Sequence, residues 1–355
     1  MSNFSTQLLT WFDQHGRHDL PWQQNITPYR VWVSEIMLQQ TQVKTVIPYY
    51  EKFMDSFPTV EALAEASQEQ VLAHWAGLGY YARGRNLHKS AQRIMTDFGG
   101  VFPSKFEDVL ALPGIGRSTA GAILSIALNQ RYAILDGNVK RVFSRYFALE
   151  GWTGEKQNEQ FLWQQAEALT PVERFGDYTQ AIMDLGATVC TRSKPKCEQC
   201  PVQKACLAKQ QDRVANFPVA KPKKEKPIKQ AYFLMLENPK GELLLQQRPQ
   251  KGIWGGLWSF PEYQSREMCL AQIKKHESQS KALQSLVEWN SFRHTFSHYH
   301  LDIFPMKVQS RGEVPVIENG EWVCKTALCG EQQALFGLPA PVTKLVRLMR
   351  ESNDV

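Results

Sequence analysis

No run in this chain approaches the ~20 consecutive apolar positions that a membrane span needs, although 43% of its 355 residues are hydrophobic. The opening MSNFSTQLLTWFDQHG lacks both a cationic stretch and a small-residue cleavage site. It carries an acidic residue and spaces its apolar residues as a helix does, so it does not read as an export signal. Internal repeats are absent, which excludes a stacked-repeat architecture. What is left is a chain long enough to bury a sizeable core, expected to form two domains in a reducing cytoplasm. In that setting seven cysteines, four of them clustered, argue for metal ligation rather than disulfides.

Acidic charge is also scarce where basic charge is densest. Between Cys190 and Lys229 eleven Lys and Arg face three Asp and Glu, a local charge of +8 against +6 for the whole chain. The remainder is therefore about −2. A basic strip on an otherwise near-neutral protein suggests contact with a polyanion, and a solvated linker is the plainer alternative.

Up to about Arg213 the sequence reads as successive helices separated by short Gly and Pro punctuation, with few alternating strand patterns. Thr27 and Pro28 form an N-cap and first-turn pair that opens YRVWVSEIMLQQ. FPVAKPKKEKPIKQ then interrupts with proline and lysine, as a linker does. Beyond it AYFLMLEN, ELLLQQRP, HLDIFPMKV and EWVC read as strands, the first two joined by a turn at PKG, and VTKLVRLMR closes as a helix. The expected organisation is a mainly α domain over 1–214, a basic linker over 215–230 and an α+β domain over 231–355.

Four elements carry chemistry. Cys190, Cys197, Cys200 and Cys206 have the spacing C-x6-C-x2-C-x5-C, and four thiolates within seventeen residues can close around zinc or an iron–sulfur cube. Only one C-x2-C knuckle is present, which favours the cluster, and Arg192, Lys194 and Lys196 lie in the loop between the first two ligands. In LPGIGRSTAGAIL, Gly114 and Gly116 permit a tight turn ahead of a helix beginning near Arg117, whose free N–H groups suit a phosphate; an ordinary helix connection is the alternative. LDGNVKR places Asp136 in an Asp-Gly turn before a helix, with Lys140 and Arg141 following. In VWVSEIMLQQTQV, a helix surrounds Glu35 with Val31, Trp32 and Leu38, and a carboxyl so placed resists ionisation unless the helix turns it to solvent.

Taken in order, LPW, SEIMLQQTQV, GLGYYARGRNLHKSA, LPGIGRSTAGAI, ILDGNVKR, MDLGA and the four-cysteine spacing resemble the MutY-type adenine DNA glycosylases of the endonuclease III superfamily. That resemblance implies a mainly α helix-hairpin-helix glycosylase domain with a [4Fe-4S] cluster loop, followed by an α+β Nudix-like domain. It implies an enzyme that removes adenine mispaired with 8-oxoguanine or guanine from double-stranded DNA and leaves an abasic site. It further implies a monomer in the bacterial cytoplasm, on the nucleoid. Glu35 is then the proton donor and Asp136 the anion that stabilises the sugar cation, with Asn138 positioning Asp136 and water. Trp22, Gln40, Thr41, Tyr80, Gly114, Gly116, Ser118 and Lys140 fall in the motifs that meet DNA or the flipped base. In the second domain WGGLWSFP and FRHTFSHYHLDI resemble the family's 8-oxoguanine reader, with Phe296, Ser297 and His298 at the matching positions.

Ser118 stands where strand-cutting relatives carry a nucleophilic lysine, so lyase chemistry is expected to be weak, with Lys140 as a slow trap for the opened sugar. An active Nudix box needs clustered glutamates for magnesium, yet REMCLAQ supplies Leu270 and Ala271 at the next acidic positions, which favours recognition over hydrolysis. A bifunctional pyrimidine glycosylase and lyase, a nucleotide hydrolase fused to a DNA-binding half, and a non-catalytic iron–sulfur DNA-binding protein are the other classes that fit these features.

Overall fold

A computed structural model describes residues 3–222, 225–249, 252–280, 283–284, 286–312, 317–328 and 336–351. The chain forms two compact units, Met1–Glu65 with Asn86–Lys223, and Ala66–Arg85 with Lys224–Val355. No helix of the described residues is long and apolar enough to cross a membrane.

The amino-terminal half is helical, as its 3.6-residue periodicity indicates. Its helices are α1 (Asn3–His15), α2 (Pro28–Leu38), α3 (Val43–Ser56), α4 (Val60–Glu65), α5 (Gln68–Trp75), α6 (Ala82–Phe98), α7 (Phe106–Leu110), α8 (Arg117–Leu128), α9 (Gly137–Tyr146), α10 (Lys156–Leu169), α11 (Phe175–Asp184) and α12 (Leu207–Gln210). The cap anticipated in the sequence is formed. Thr27 Oγ1 accepts from Arg30 N at 3.2 Å and Pro28 fills the first turn of α2, where no N–H is needed. One core of the first unit joins Leu8 and Phe12 of α1 to Val139, Val142 and Phe143 of α9 and to Ile182 and Leu185, so the α9 backbone is held from two sides. α5 and the start of α6 cluster with the second unit: Arg85 Nη1 donates to Gly255 O at 2.6 Å.

The carboxy-terminal half is built on β1 (Ile228–Glu237), β2 (Glu242–Gln247), β3 (Trp258–Ser259), β4 (Glu262–Tyr263), β5 (Val287–Glu288), β6 (Phe292–Thr295), β7 (His300–Gln309) and β8 (Gly320–Cys324), with α13 (Arg266–Ser280) and α14 (Ala340–Glu351). The main path of the sheet runs β3-β2-β1-β7-β5, and β1 pairs β7 in parallel from Ile228↔His300 to Glu237↔Gln309. β1 begins at Ile228, inside the proline- and lysine-rich segment, while Phe217 at that segment's other end is buried. Lys223 and Lys224 lie outside the described residues. Because successive strand residues face opposite ways, Ala231, Phe233 and Met235 join a core with Leu345 and Met349 of α14. Leu234 and Leu236 join another with Cys269 and Ile273 of α13. A strand buried on both faces shows a continuous apolar run, which AYFLML is.

Candidate active site

Four elements of the first unit converge on a cleft of about 1150 Å³ lined by Glu35, Asp136, Asn138, Ser118, Gly116 and Trp22, among others. α2 delivers Glu35 between Ser34 and Ile36, both buried, with Val31 and Trp32 one turn behind. Part of its surface opens to the cleft, but the dense surroundings dominate. Burial, and then the nearby charge of Asp136, push its carboxyl from an ordinary 4.5 up to about 8.

Asp136 is the N-cap of α9. Its carboxylate accepts from Val139 N at 2.8 Å and from Asn138 Nδ2 at 3.0 Å. Its pKa is raised overall, because burial outweighs these hydrogen bonds and the Arg141 guanidinium, which pull the other way. Two carboxyls in one cleft thus have unlike surroundings: one has apolar neighbours, the other has donors that favour the anion.

The extended segment that delivers Asp136 lies along one face of α8. Ser118 Oγ accepts from Leu135 N at 3.0 Å, and Ser125 Oγ donates to Tyr132 O at 3.1 Å. Between them a Cβ on Gly121 would stand 2.7 Å from Ala133 O, so only glycine allows this approach. The preceding hairpin turns at Gly114, with φ +81°, and Gly116 caps α8 without a side-chain partner for the first-turn N–H groups.

α9 also ties Asp136 to the cysteine loop. Arg141 Nη2 donates to Asn138 Oδ1 at 2.8 Å and its Nε to Cys190 O at 2.7 Å. Arg145, buried one turn further along, donates to Thr191 O at 2.7 Å, Phe217 O at 2.9 Å and Cys190 Sγ at 3.3 Å. Cys190, Cys197, Cys200 and Cys206 line one small cavity of about 30 Å³. Burial pushes the Cys200 thiol up to about 12 and raises those of Cys197 and Cys206. Among the described residues no three His, Cys, Asp or Glu side chains converge closely enough to hold a single metal ion. Four thiols lining one cavity are a donor set that an iron–sulfur cube, with one ligand per corner, or a tetrahedral zinc would take.

Other residues singled out by sequence are distributed as follows. Gln40, with φ +59°, and Thr41 line the cleft, as does buried Trp22, whose ring meets Tyr50 edge-on at 5.5 Å. Arg192 lines it too. Lys140 is absent from its wall: its Nζ bonds Glu159 at 2.7 Å. In the second unit Tyr80 is 50% exposed, holds φ +50° and carries the Arg83 guanidinium 5.5 Å from its ring. Phe296 packs with Trp254 and Tyr299, leaving Ser297 and His298 exposed. Arg248 pairs with Glu262, and the α13 turn after Glu267 holds Met268, Cys269, Leu270 and Ala271, so no acidic cluster forms there. Arg145 and Asp184, which Arg17 holds through its backbone N at 2.7 Å and through its guanidinium, were not singled out by sequence reading. The i, i+3 and i, i+4 spacing of Asn138, Arg141 and Arg145 along one helix is the signal that marks Arg145.

The HhH-GPD superfamily base excision DNA repair protein family matches residues 33–168, and the NUDIX domain family matches residues 231–348. An adenine DNA glycosylase of Buchnera aphidicola subsp. Acyrthosiphon pisum is 39% identical over 354 residues, covering 98% of each chain. One from Homo sapiens is 36% identical, covering 88% of this chain and 68% of the human protein. Among solved structures, a thermostable thymine-DNA glycosylase is 30% identical with a TM-score of 0.54, over 59% of this chain and 95% of that one. A non-covalent endonuclease III–DNA complex shares the fold at 18% identity and a TM-score of 0.51, over 59% of this chain and 94% of that one.

Proposed function

We propose, because the chain belongs to the adenine DNA glycosylase family of base-excision repair enzymes, that it excises adenine opposite 8-oxoguanine or guanine, with Glu35 as acid and Asp136 as stabilising anion. The observation that carries this assignment is the pair of carboxyls in one cleft, Glu35 held protonated at neutral pH by its surroundings and Asp136 supplied with hydrogen-bond donors.

An adenine turned out of the duplex enters the cleft. Glu35 gives its proton to a purine ring nitrogen, so the base leaves with the electron pair of the N-glycosidic bond. The sugar develops oxocarbenium character, and the Asp136 carboxylate stabilises that charge. Water adds to the anomeric carbon, and the proton it loses restores Glu35. Asn138, donating to Asp136 Oδ2, fixes which oxygen faces the sugar. Ser118 offers no amine for an imine, and the Lys140 amine is engaged by Glu159, so base removal is the principal chemistry.

The four cysteines would hold a [4Fe-4S] cluster, which when bound supplies a rigid frame for the loop. Arg192, Lys194 and Lys196 in that loop then meet backbone phosphates, and Arg145 donates to the Cys190 sulfur. The purified protein is expected to be brown and to contain about four irons per chain; a colourless preparation with zinc and no iron would overturn the assignment. The functional division we propose is a catalytic half over 1–214, a linker over 215–230 and a recognition half over 231–355. In the last of these, exposed Ser297 and His298 beside the Phe296 ring offer hydrogen bonds and a stacking face to a modified purine.

The test is a gel assay on duplexes with adenine opposite 8-oxoguanine, guanine or thymine, with alkali added to half the samples. Cleavage at adenine opposite 8-oxoguanine and guanine that needs alkali is the expected result. Nicking without alkali would instead establish strand-cutting activity, and equal rates opposite thymine would remove the recognition role.

A further inference from the structure

We infer that Gly186 is a positioning residue for base excision: its missing side chain lets a π-helical turn seat its backbone on Asn138, which orients the Asp136 carboxylate. This rests on the role given to Asp136 above.

α11 runs straight into a π-helical turn, Leu185–Val189, in which Cys190 N donates to Leu185 O at 2.7 Å. Such turns are rare single insertions that push the backbone outward and recur at functional sites. Here the bulge meets the first turn of α9. A Cβ at Gly186 would lie 2.6 Å from Asn138 Cβ, 3.1 Å from its Cα and 3.2 Å from its carbonyl carbon. The first distance is shorter than side chains tolerate, and the atoms met are not the end of a flexible side chain, so α9 itself would have to shift. Asn138 has little freedom to absorb that. Its Nδ2 donates to Asp136 Oδ2 at 3.0 Å, its Oδ1 accepts from Arg141, and the same Arg141 Nη2 donates to Gly186 O at 2.6 Å. A displacement at Gly186 is therefore passed to the carboxylate, not dissipated. The charged groups around Asp136 are Glu35 from α2 and Arg141 on its own helix, with Arg17, Lys44 and Arg192 lining the same cleft.

The experiment compares wild type, G186A, N138G, N138G/G186A and D136N in single-turnover excision of adenine, with DNA affinity, iron content and the pH–rate profile for each. G186A is expected to slow excision by about 10- to 100-fold, the cost of a displaced catalytic group, with affinity and iron content retained. Its acid-side limb is expected to move to higher pH, because weaker donation from Asn138 disfavours the Asp136 anion. In the N138G background, which removes the Cβ met at 2.6 Å and the amide that holds Asp136 but keeps the Cα and carbonyl carbon met at 3.1 and 3.2 Å, G186A is expected to add a smaller loss than in wild type. A G186A rate matching wild type, or an undiminished penalty in the N138G background, would overturn the inference. Should G186A fail to fold, recovery of folding in N138G/G186A supports the contact and continued misfolding overturns it. D136N separates the two levels: if it keeps full activity, the role of Asp136 itself fails, whereas an inactive D136N beside a fully active G186A removes only Gly186.

Discussion

Glu35→Gln is expected to slow adenine release by about 10²–10⁴-fold, the contribution of a positioned general acid, while leaving DNA affinity intact, and at the same time to stabilise the fold. The two effects have one origin. Glutamine matches the carboxyl in shape and keeps its hydrogen-bonding ends, but it has no proton to give. In the native protein the carboxyl is pushed from 4.5 up to about 8 by burial and then by Asp136. Below its unfolded pKa both states hold the proton and nothing is lost. As pH rises from there toward about 8, the unfolded chain releases the proton while the folded protein keeps it, so stability falls across that window and levels off above it. At pH 7 the cost is on the order of 1–3 kcal/mol, reduced by the surface that Glu35 leaves open to the cleft. E35Q is spared it. Denaturant unfolding of both proteins at pH 4.5 and pH 8 checks this: E35Q should match wild type at the lower pH and exceed it at the higher. An active E35Q, or one no more stable than wild type at pH 8, would contradict the assignment.

Asp136→Asn is expected to slow excision by about 10²–10³-fold, the usual cost of removing a preorganised electrostatic partner of a developing charge. Folding should survive, because asparagine is as good an N-cap as aspartate and its oxygen still accepts from Val139 N. A second signature separates lost charge from lost shape. The Asp136 charge contributes to the raised pKa of Glu35, so its removal lets Glu35 ionise more easily. The alkaline limb of the residual activity should move to lower pH. Unchanged turnover, or an alkaline limb that stays in place, would argue that the two carboxyls do not act as a pair.

Much of the site was legible one element at a time. The Thr27-Pro28 start and the Gly114–Gly116 hairpin are local and formed as expected, and the helix expected after Asp136 is there, although Asp136 serves as its N-cap where an Asp-Gly turn was expected. The raised pKa of Glu35 was legible only in part: its apolar helix neighbours are local, but the burial of that helix face and the nearby charge of Asp136 are not. Strands of two residues such as β3 and β5 carry no readable alternation, and α13 lacks a sharp apolar stripe, so both went unmarked. Lys140 shows the opposite limit. Its neighbours in sequence suggest DNA or sugar contact, but its partner is Glu159, nineteen positions away on another helix.

The sequence by itself determined the helix starts, the tight turns and the spacing of the four thiols, because backbone preference and donor chemistry act over a few residues. Only the tertiary structure decided that Glu35 and Asp136 share one cleft, that Ser118 and Gly121 register the segment carrying Asp136, and that Arg141 and Arg145 bind α9 to the cysteine loop. Those pairings join residues from twelve to about a hundred positions apart. Cross-chain distances of that kind depend on how helices pack, and packing is fixed by the whole core, not by any local stretch.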